Sequence, residues 1–185
     1  MVRVSLWWGI AFAVNPRIEV VQGDIVAVEV DAVVNAANPA LRGGGGVDGA
    51  IHRAAGPALA EAASAFAPLA AGEAVATPAF ALEPRIRWVI HTVGPVWRGG
   101  GEGEPELLRE CYRNSLAVAE ELGCRSVAFP AISTGIYGYP AVRAAEIAVD
   151  SVASHDGAAE WVVLCAFDAA TAALYRNRLA GRERS

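Results

Sequence analysis

The 185-residue sequence contains no lysine, and all fifteen of its basic residues are arginine. A Walker-type phosphate loop, Schiff-base chemistry and a lysine nucleophile all need the missing ε-amine, so none is available. The arginines form no basic run, which argues against nucleic acid as a specific partner. Cysteine is scarce as well. Cys111, Cys124 and Cys165 are isolated and odd in number, a pattern of small buried hydrophobes in a reducing, cytoplasmic setting rather than a disulfide framework. His52, His91 and His155 lie far apart, and no His or Cys has metal-ligand spacing. No metal and no cofactor are expected.

Long apolar runs are also missing. Residues 6–14 are too few to cross a bilayer, so no membrane partner is expected. With Arg3 ahead of them and Ala-x-Ala at 11–13, they have the outline of a signal peptide. Cleavage there would leave an apolar core of only residues 6–10, which is short for that role. An extra strand, an apolar arm or an upstream start codon fits residues 1–16 better.

What is present is 54% hydrophobic and 19% charged residues, a globular composition. Residues 17–185 are enough for a single domain with its own core. The net charge is −5, so a phosphorylated ligand must be held by backbone amides and helix dipoles rather than by a basic patch. Residues 31–57, DAVVNAANPALRGGGGVDGAIHRAAGP, offer such a device. Residues 32–35 read as a buried strand. Asn35 and Asn38 place two carboxamides around its end, and Gly43 to Gly46 can bring bare backbone close to a ligand. A helix opens at Val47 with Asp48 in its first turn, where the dipole should keep the carboxylate ionised. Gly44 to Gly49 also matches G-x-G-x-x-G, the fingerprint of a nicotinamide dehydrogenase. That match is weak, because the first glycine is far from the strand and no acidic strand end follows at the required distance.

The remaining segments alternate. Strands are expected at residues 17–21, 74–80 (an edge, because of Pro78), 88–93, 126–129 and 161–166, and helices at 57–67, 106–122, 141–154 and 168–179. His91 reads either as core or as support for a site group. The loop at 98–105 has glycines but no helix directly behind them. Residues 133–138, STGIYG, form a second cradle of hydroxyls and backbone, followed by a helix. Alternating strand and helix implies a three-layer α/β/α domain with a mixed, mostly parallel central sheet, its mixed character coming from the N-terminal strands and the 74–80 edge.

These motifs resemble the macro domain family, specifically MacroD-type ADP-ribosyl hydrolases, over residues 17–179. The likeness rests on the glycine stretch together with HTVGPVW at 91–97, FPAISTGIYGYP at 129–140 and CAFD at 165–168. It implies cleavage of esters at the distal ribose of ADP-ribose: deacetylation of O-acetyl-ADP-ribose and removal of mono-ADP-ribose from acidic side chains of proteins. It assigns Asn38 to orienting the distal ribose and Asp48 to positioning or activating water. Asp24 would accept from the adenine amino group, Phe167 would stack, and Tyr137 would cover the ribose. The N–H groups of Gly45, Gly46 and Gly135 would hold phosphate or ribose oxygens. Ile25, Val47, Ser133, Thr134 and Ile136 would complete the binding surface. The expected partners are ADP-ribose, its esters and ADP-ribosylated proteins, acted on by a monomer. A non-catalytic ADP-ribose reader is the main alternative, although such modules commonly lack the Asn and Asp pair. The lysine-dependent branch of the family is excluded by composition, and the zinc-containing branch has no support from His and Cys spacing.

Overall fold

The computed structural model describes residues 16–182 and 184; of the apolar extension expected at 1–16, only Pro16 falls within them. Six strands, β1 (Arg17–Gln22), β2 (Ala32–Ala37), β3 (Ala74–Pro78), β4 (Trp88–Val93), β5 (Ser126–Phe129) and β6 (Trp161–Ala166), form one sheet in the order β1-β6-β5-β2-β4-β3. β3 is antiparallel to β4, and every other pairing is parallel. β1 was expected to contribute to the mixed character. It pairs parallel with β6 instead, and the edge strand β3 alone breaks the pattern among the described strands.

The period-two alternation of each strand sorts its side chains between two helical layers. Ala32, Val34, Val127, Phe129, Val162 and Leu164 face one core, which also contains Leu108, Tyr112, Leu116, Val149 and Tyr175. These come from α3 (Glu104–Glu121), α4 (Ala141–Ala153) and α5 (Ala169–Arg182). Val33, Val89, Ala128, Val163 and Cys165 face the other, packed against Ile51, Ala55 and Leu59 of α1 (Gly46–Ala55) and α2 (Ala58–Ser64). The result is three layers, α/β/α.

Helix ends differ by a few residues from the sequence expectation, for local reasons. α2 stops at Ser64 because Pro68 disfavours helical backbone at the residue before it. α3 begins at Glu104, two residues early, since Pro105 is tolerated in a first turn.

Asp31, just ahead of β2, ties together the amino ends of three strands. Its Oδ2 accepts from Arg125 N (2.8 Å), Ser126 N (3.1 Å) and Ser126 Oγ (3.1 Å), and its Oδ1 from Arg87 Nη2 (3.0 Å). Its carbonyl accepts from Arg87 N and Trp88 N at the head of β4. Partial burial alone would push the carboxyl up, but these donors together hold it below its ordinary value of 3.8. A depressed carboxylate contributes stability above its unfolded-state value, and that contribution is lost as pH falls through the folded value. Asp31→Ala should therefore cost about 1–3 kcal/mol in urea unfolding near neutral pH, the scale for stranding polar partners. The difference from wild type should shrink once the pH is taken below 3.8.

Candidate functional site

A cavity of about 680 Å³ opens at the carboxyl ends of the parallel strands, where open α/β sheets bind ligands. Each wall is a strand exit. Gly23, Asp24 and Ile25 follow β1, Ala36 to Asn38 end β2, Gly94 follows β4, Pro130 and Ala131 follow β5, and Phe167 and Asp168 follow β6. The glycine loop, α1 and residues 133–137 close it.

Asp48 stands in the first turn of α1 and is only 5% exposed. Its Oδ1 accepts from Asn35 Nδ2 at 2.8 Å and its Oδ2 from Asn38 Nδ2 at 3.4 Å. His52, one turn further along α1, brings Nε2 within 3.3 Å of Oδ1, out of line for a hydrogen bond but close enough to act through its charge when protonated. The helix dipole does not decide the Asp48 pKa. Burial is the largest influence and pushes the carboxyl above its ordinary value of 3.8, with Asn35 and His52 pulling only partly against it. Asp48 is thus a stronger base than an exposed aspartate.

Asn38 is more committed to the protein than its assigned ribose contact suggested. Nδ2 donates to Gly43 O at 2.9 Å as well as to Asp48, while Oδ1 accepts from Ala40 N at 3.0 Å. The side chain holds the loop and the carboxylate together, and Oδ1 keeps one lone pair for a ligand. Asn35, fully buried, is a site group whose role the sequence alone does not assign. Behind it lies His91 Nδ1 at 3.2 Å, and His91 Nε2 lies 3.0 Å from Thr77 Oγ1. Burial, followed by the nearby His52, lowers the His91 pKa to about 4, so this ring is neutral near pH 7. His52 was legible as the i+4 neighbour of Asp48 on one helix face. Arg53, which also lines the cavity, had no sequence signal beyond its place in the motif.

The first turn of α1 leaves the N–H groups of Gly46 and Val47 without intrahelical acceptors. Both residues line the cavity beside Gly44 and Gly45. The second cradle is built differently from expectation. Its cavity-facing part, Ser133 to Tyr137, ends before α4 begins at Ala141, so loop backbone rather than that helix's dipole faces the ligand space. Ser133 has a positive φ of 65° and a buried Oγ that finds no hydrogen-bond partner. A Cβ on Gly94 would lie 2.1 Å from that Oγ, so a side chain there would have to displace Ser133. Tyr137 is half-buried, and its carbonyl accepts from Trp97 N at 2.9 Å.

Asp24 caps a short 3₁₀ turn, accepting from Val26 N at 3.2 Å, and also lines the cavity beside the buried Ile25. The cap and the ligand-facing readings coexist. Phe167 is 86% exposed and Ile136 99% exposed, both on the cavity wall, so neither is a core residue. The glycine loop at 98–103 serves another purpose. Glu104, at the start of α3, accepts from the N–H groups of Arg98 (2.9 Å), Gly100 (3.0 Å) and Glu102 (2.7 Å), so the chain's own carboxylate fills that loop. Among the described residues there is no group of three or more His, Cys, Asp or Glu able to hold a metal ion.

Residues 34–148 match the macro domain family. The O-acetyl-ADP-ribose deacetylase of Salmonella typhimurium is 54% identical, over 88% of this chain and 94% of its own. Among solved structures, the Oceanobacillus iheyensis macrodomain with ADP superposes with a TM-score of 0.87 at 38% identity, covering 92% of this chain and 93% of that one. The Trypanosoma brucei macrodomain in complex with ADP-ribose gives a TM-score of 0.80 at 39% identity, covering 88% and 68%.

The glycine loop approaches α1 so closely that a Cβ on Gly49 would lie 2.3 Å from the carbonyl oxygen of Gly44. Backbone must move to relieve that contact. Gly49→Ala should cost about 1–3 kcal/mol, the usual range for overpacking, and should displace the Gly44 amide signal in an N–H correlation spectrum. An unchanged spectrum and unchanged unfolding midpoint would mean that the loop is not seated on the helix.

Proposed function

Since the chain belongs to the macro domain family, we propose that it hydrolyses esters at the distal ribose of ADP-ribose. Its substrates on this reading are O-acetyl-ADP-ribose and proteins carrying mono-ADP-ribose on aspartate or glutamate, cleaved with water and without a metal by a cytoplasmic monomer. The observation that carries the proposal is the enclosed Asp48 carboxylate. It sits on a cavity that also presents a helix N-terminus and a glycine loop, a base and an anion site in one space. A binding module needs the anion site but not the base. The name of the Salmonella relative and the nucleotides bound by the two solved macrodomains support the same substrate class.

In the proposed reaction a water oxygen bonds to the ester carbonyl carbon as Asp48 takes one of its protons. The bond from that carbon to the ribose oxygen then breaks. The ribose oxygen recovers a proton, and acetate, or the side-chain carboxylate of a protein, departs. Burial makes Asp48 a better proton acceptor for the first step. Backbone N–H groups at the head of α1 stabilise negative charge on the diphosphate. Asn38 keeps Asp48 and the loop in register and offers Oδ1 to the distal ribose. Asp24, Ile25 and Phe167 form the end of the cavity suited to adenine, with an acceptor for its amino group and an apolar ring for its face.

Asp48→Ala should lower kcat on O-acetyl-ADP-ribose by roughly 10²-fold or more, the scale for losing a general base, with little change in ADP-ribose affinity by calorimetry. Asn38→Ala should lower kcat and also weaken binding, because its carboxamide serves both loop and ribose. A fully active Asp48→Ala protein is incompatible with the mechanism; a wild type that binds ADP-ribose yet releases no acetate is a reader. Turnover should also survive exhaustive dialysis against EDTA. Loss of activity restored only by added zinc or magnesium would replace Asp48 with a metal as the activator of water.

A further inference from the structure

We infer that His91 is a positioning residue for the hydrolysis: backed by Thr77, it aims the Asn35 carboxamide at Asp48. This rests on the ester-hydrolase reading of Asp48. Asn35 and His91 are register partners on adjacent strands β2 and β4, and Thr77 is on β3, so three neighbouring strands contribute one polar line. All three residues are buried, on the sheet face that also carries Val33, Val89, Ala128 and Val163. The line runs from Thr77 Oγ1 to His91 Nε2 (3.0 Å), from His91 Nδ1 to Asn35 Nδ2 (3.2 Å), and from Asn35 Nδ2 to Asp48 Oδ1 (2.8 Å).

Donor and acceptor chemistry leaves the line one polarity. Asn35 Nδ2 has two hydrogens and no lone pair to offer, so the atoms it meets must both accept. Asp48 accepts one hydrogen, and His91 Nδ1 must accept the other. The proton of the neutral ring is therefore on Nε2, pointing at Thr77 Oγ1. With both hydrogens engaged, the carboxamide cannot turn its oxygen towards Asp48, where it would repel the carboxylate. Packing alone could be met by an apolar residue; a buried, hydrogen-bonded imidazole is costly to enclose unless its polar atoms are used. The titratable groups facing Asp48 in this region are His52, on its own helix, and His91, behind Asn35.

The sign of the effect follows. The Asn35 hydrogen bond favours the ionised form of Asp48, so loosening Asn35 favours its protonated form. His91→Phe should move the acid limb of kcat/KM upward in pH and lower kcat/KM by roughly five- to tenfold at neutral pH, the scale for one buried hydrogen bond. ADP-ribose affinity should be unchanged. His91→Asn, which keeps an acceptor near the Nδ1 position, should recover most of both losses. Thr77→Val should shift the limb in the same direction as His91→Phe, and Thr77→Ser should not. The Asp48 carboxyl titration, followed by carbon NMR in the free protein, should rise with the acid limb, and the nitrogen shifts of His91 should report the Nε2–H tautomer. An Nδ1–H tautomer overturns the inference. So does a wild-type Asp48 titration in His91→Phe, or in Thr77→Val should the first variant fail to fold. These NMR readouts need no turnover, so an inactive wild type would count against the hydrolase reading alone.

Discussion

Asp48 carries a charge into a site where little solvent reaches, and the hydrogen bond from Asn35 at 2.8 Å is what the surrounding structure is arranged to supply. That bond joins the end of β2 to the first turn of α1, two elements separated by the whole glycine loop. The loop must therefore fold back on itself, and it does so around Asn38, whose amide spans Gly43 O and Asp48. The close approach of Gly49 to Gly44 is a consequence of the same closure. Two carboxamides thus do the work of cations in many other sites: they stabilise a carboxylate without neutralising it. A lysine or arginine in the place of Asn35 would depress the Asp48 pKa further and weaken it as a base.

The same economy of charge marks the anion-binding part of the cavity. Among the described residues Arg53 is the only arginine on the cavity wall, and the sequence has no lysine to add. Recognition of a diphosphate on the proposed reading then depends on N–H groups at the head of α1 and along residues 133–137. Backbone donors are fixed in direction and lose no side-chain entropy when a ligand arrives. Their disposition matters more than their number, as the loop at 98–103 makes plain. It too is glycine-rich and leads into a helix, yet Glu104 already accepts three of its N–H groups. One carboxylate placed at a helix start makes this loop a structural brace closed on itself.

That contrast also shows what could and could not be read from the sequence. Strand and helix order was legible because the inner strands are short, nearly continuous apolar runs while the helices carry apolar periodicity, and the glycine loop was legible because its helix follows at once. The direction of β1 was not, since parallel and antiparallel pairing of a half-buried strand leave the same alternation. The helix dipole, a local quantity, favours an ionised Asp48, whereas burial is the larger influence and raises its pKa. His91 stayed open between core and support for a site group, and Thr77 carried no signal at all. The line from Thr77 through His91 to Asn35 depends on the lateral register of three strands, and no spacing within one segment encodes that. A strand-end aromatic such as Phe167 could be core by sequence alone; only the path of the chain after β6 leaves the ring in the open.

The exposed ring closes the physical account of the cavity. Ile136 and Phe167 keep most of their apolar surface in water, at 99% and 86% exposure, although the chain has ample core to hide them. An apolar side chain left in solvent forgoes about 25 cal/mol for each Å² that could be covered. Single exposed hydrophobics are ordinary, but these two belong to separate loops and both line the cavity that contains Asp48. On the proposed reading, adenine and ribose supply the missing cover, so part of the hydrophobic effect that the fold leaves unused becomes binding free energy. Asp24, already tied to Val26 N through Oδ1, then needs only its other oxygen to accept from the base. Ligand binding in this picture is a completion of packing at one end of the cavity. The other end, with its enclosed carboxylate, remains free to act on water.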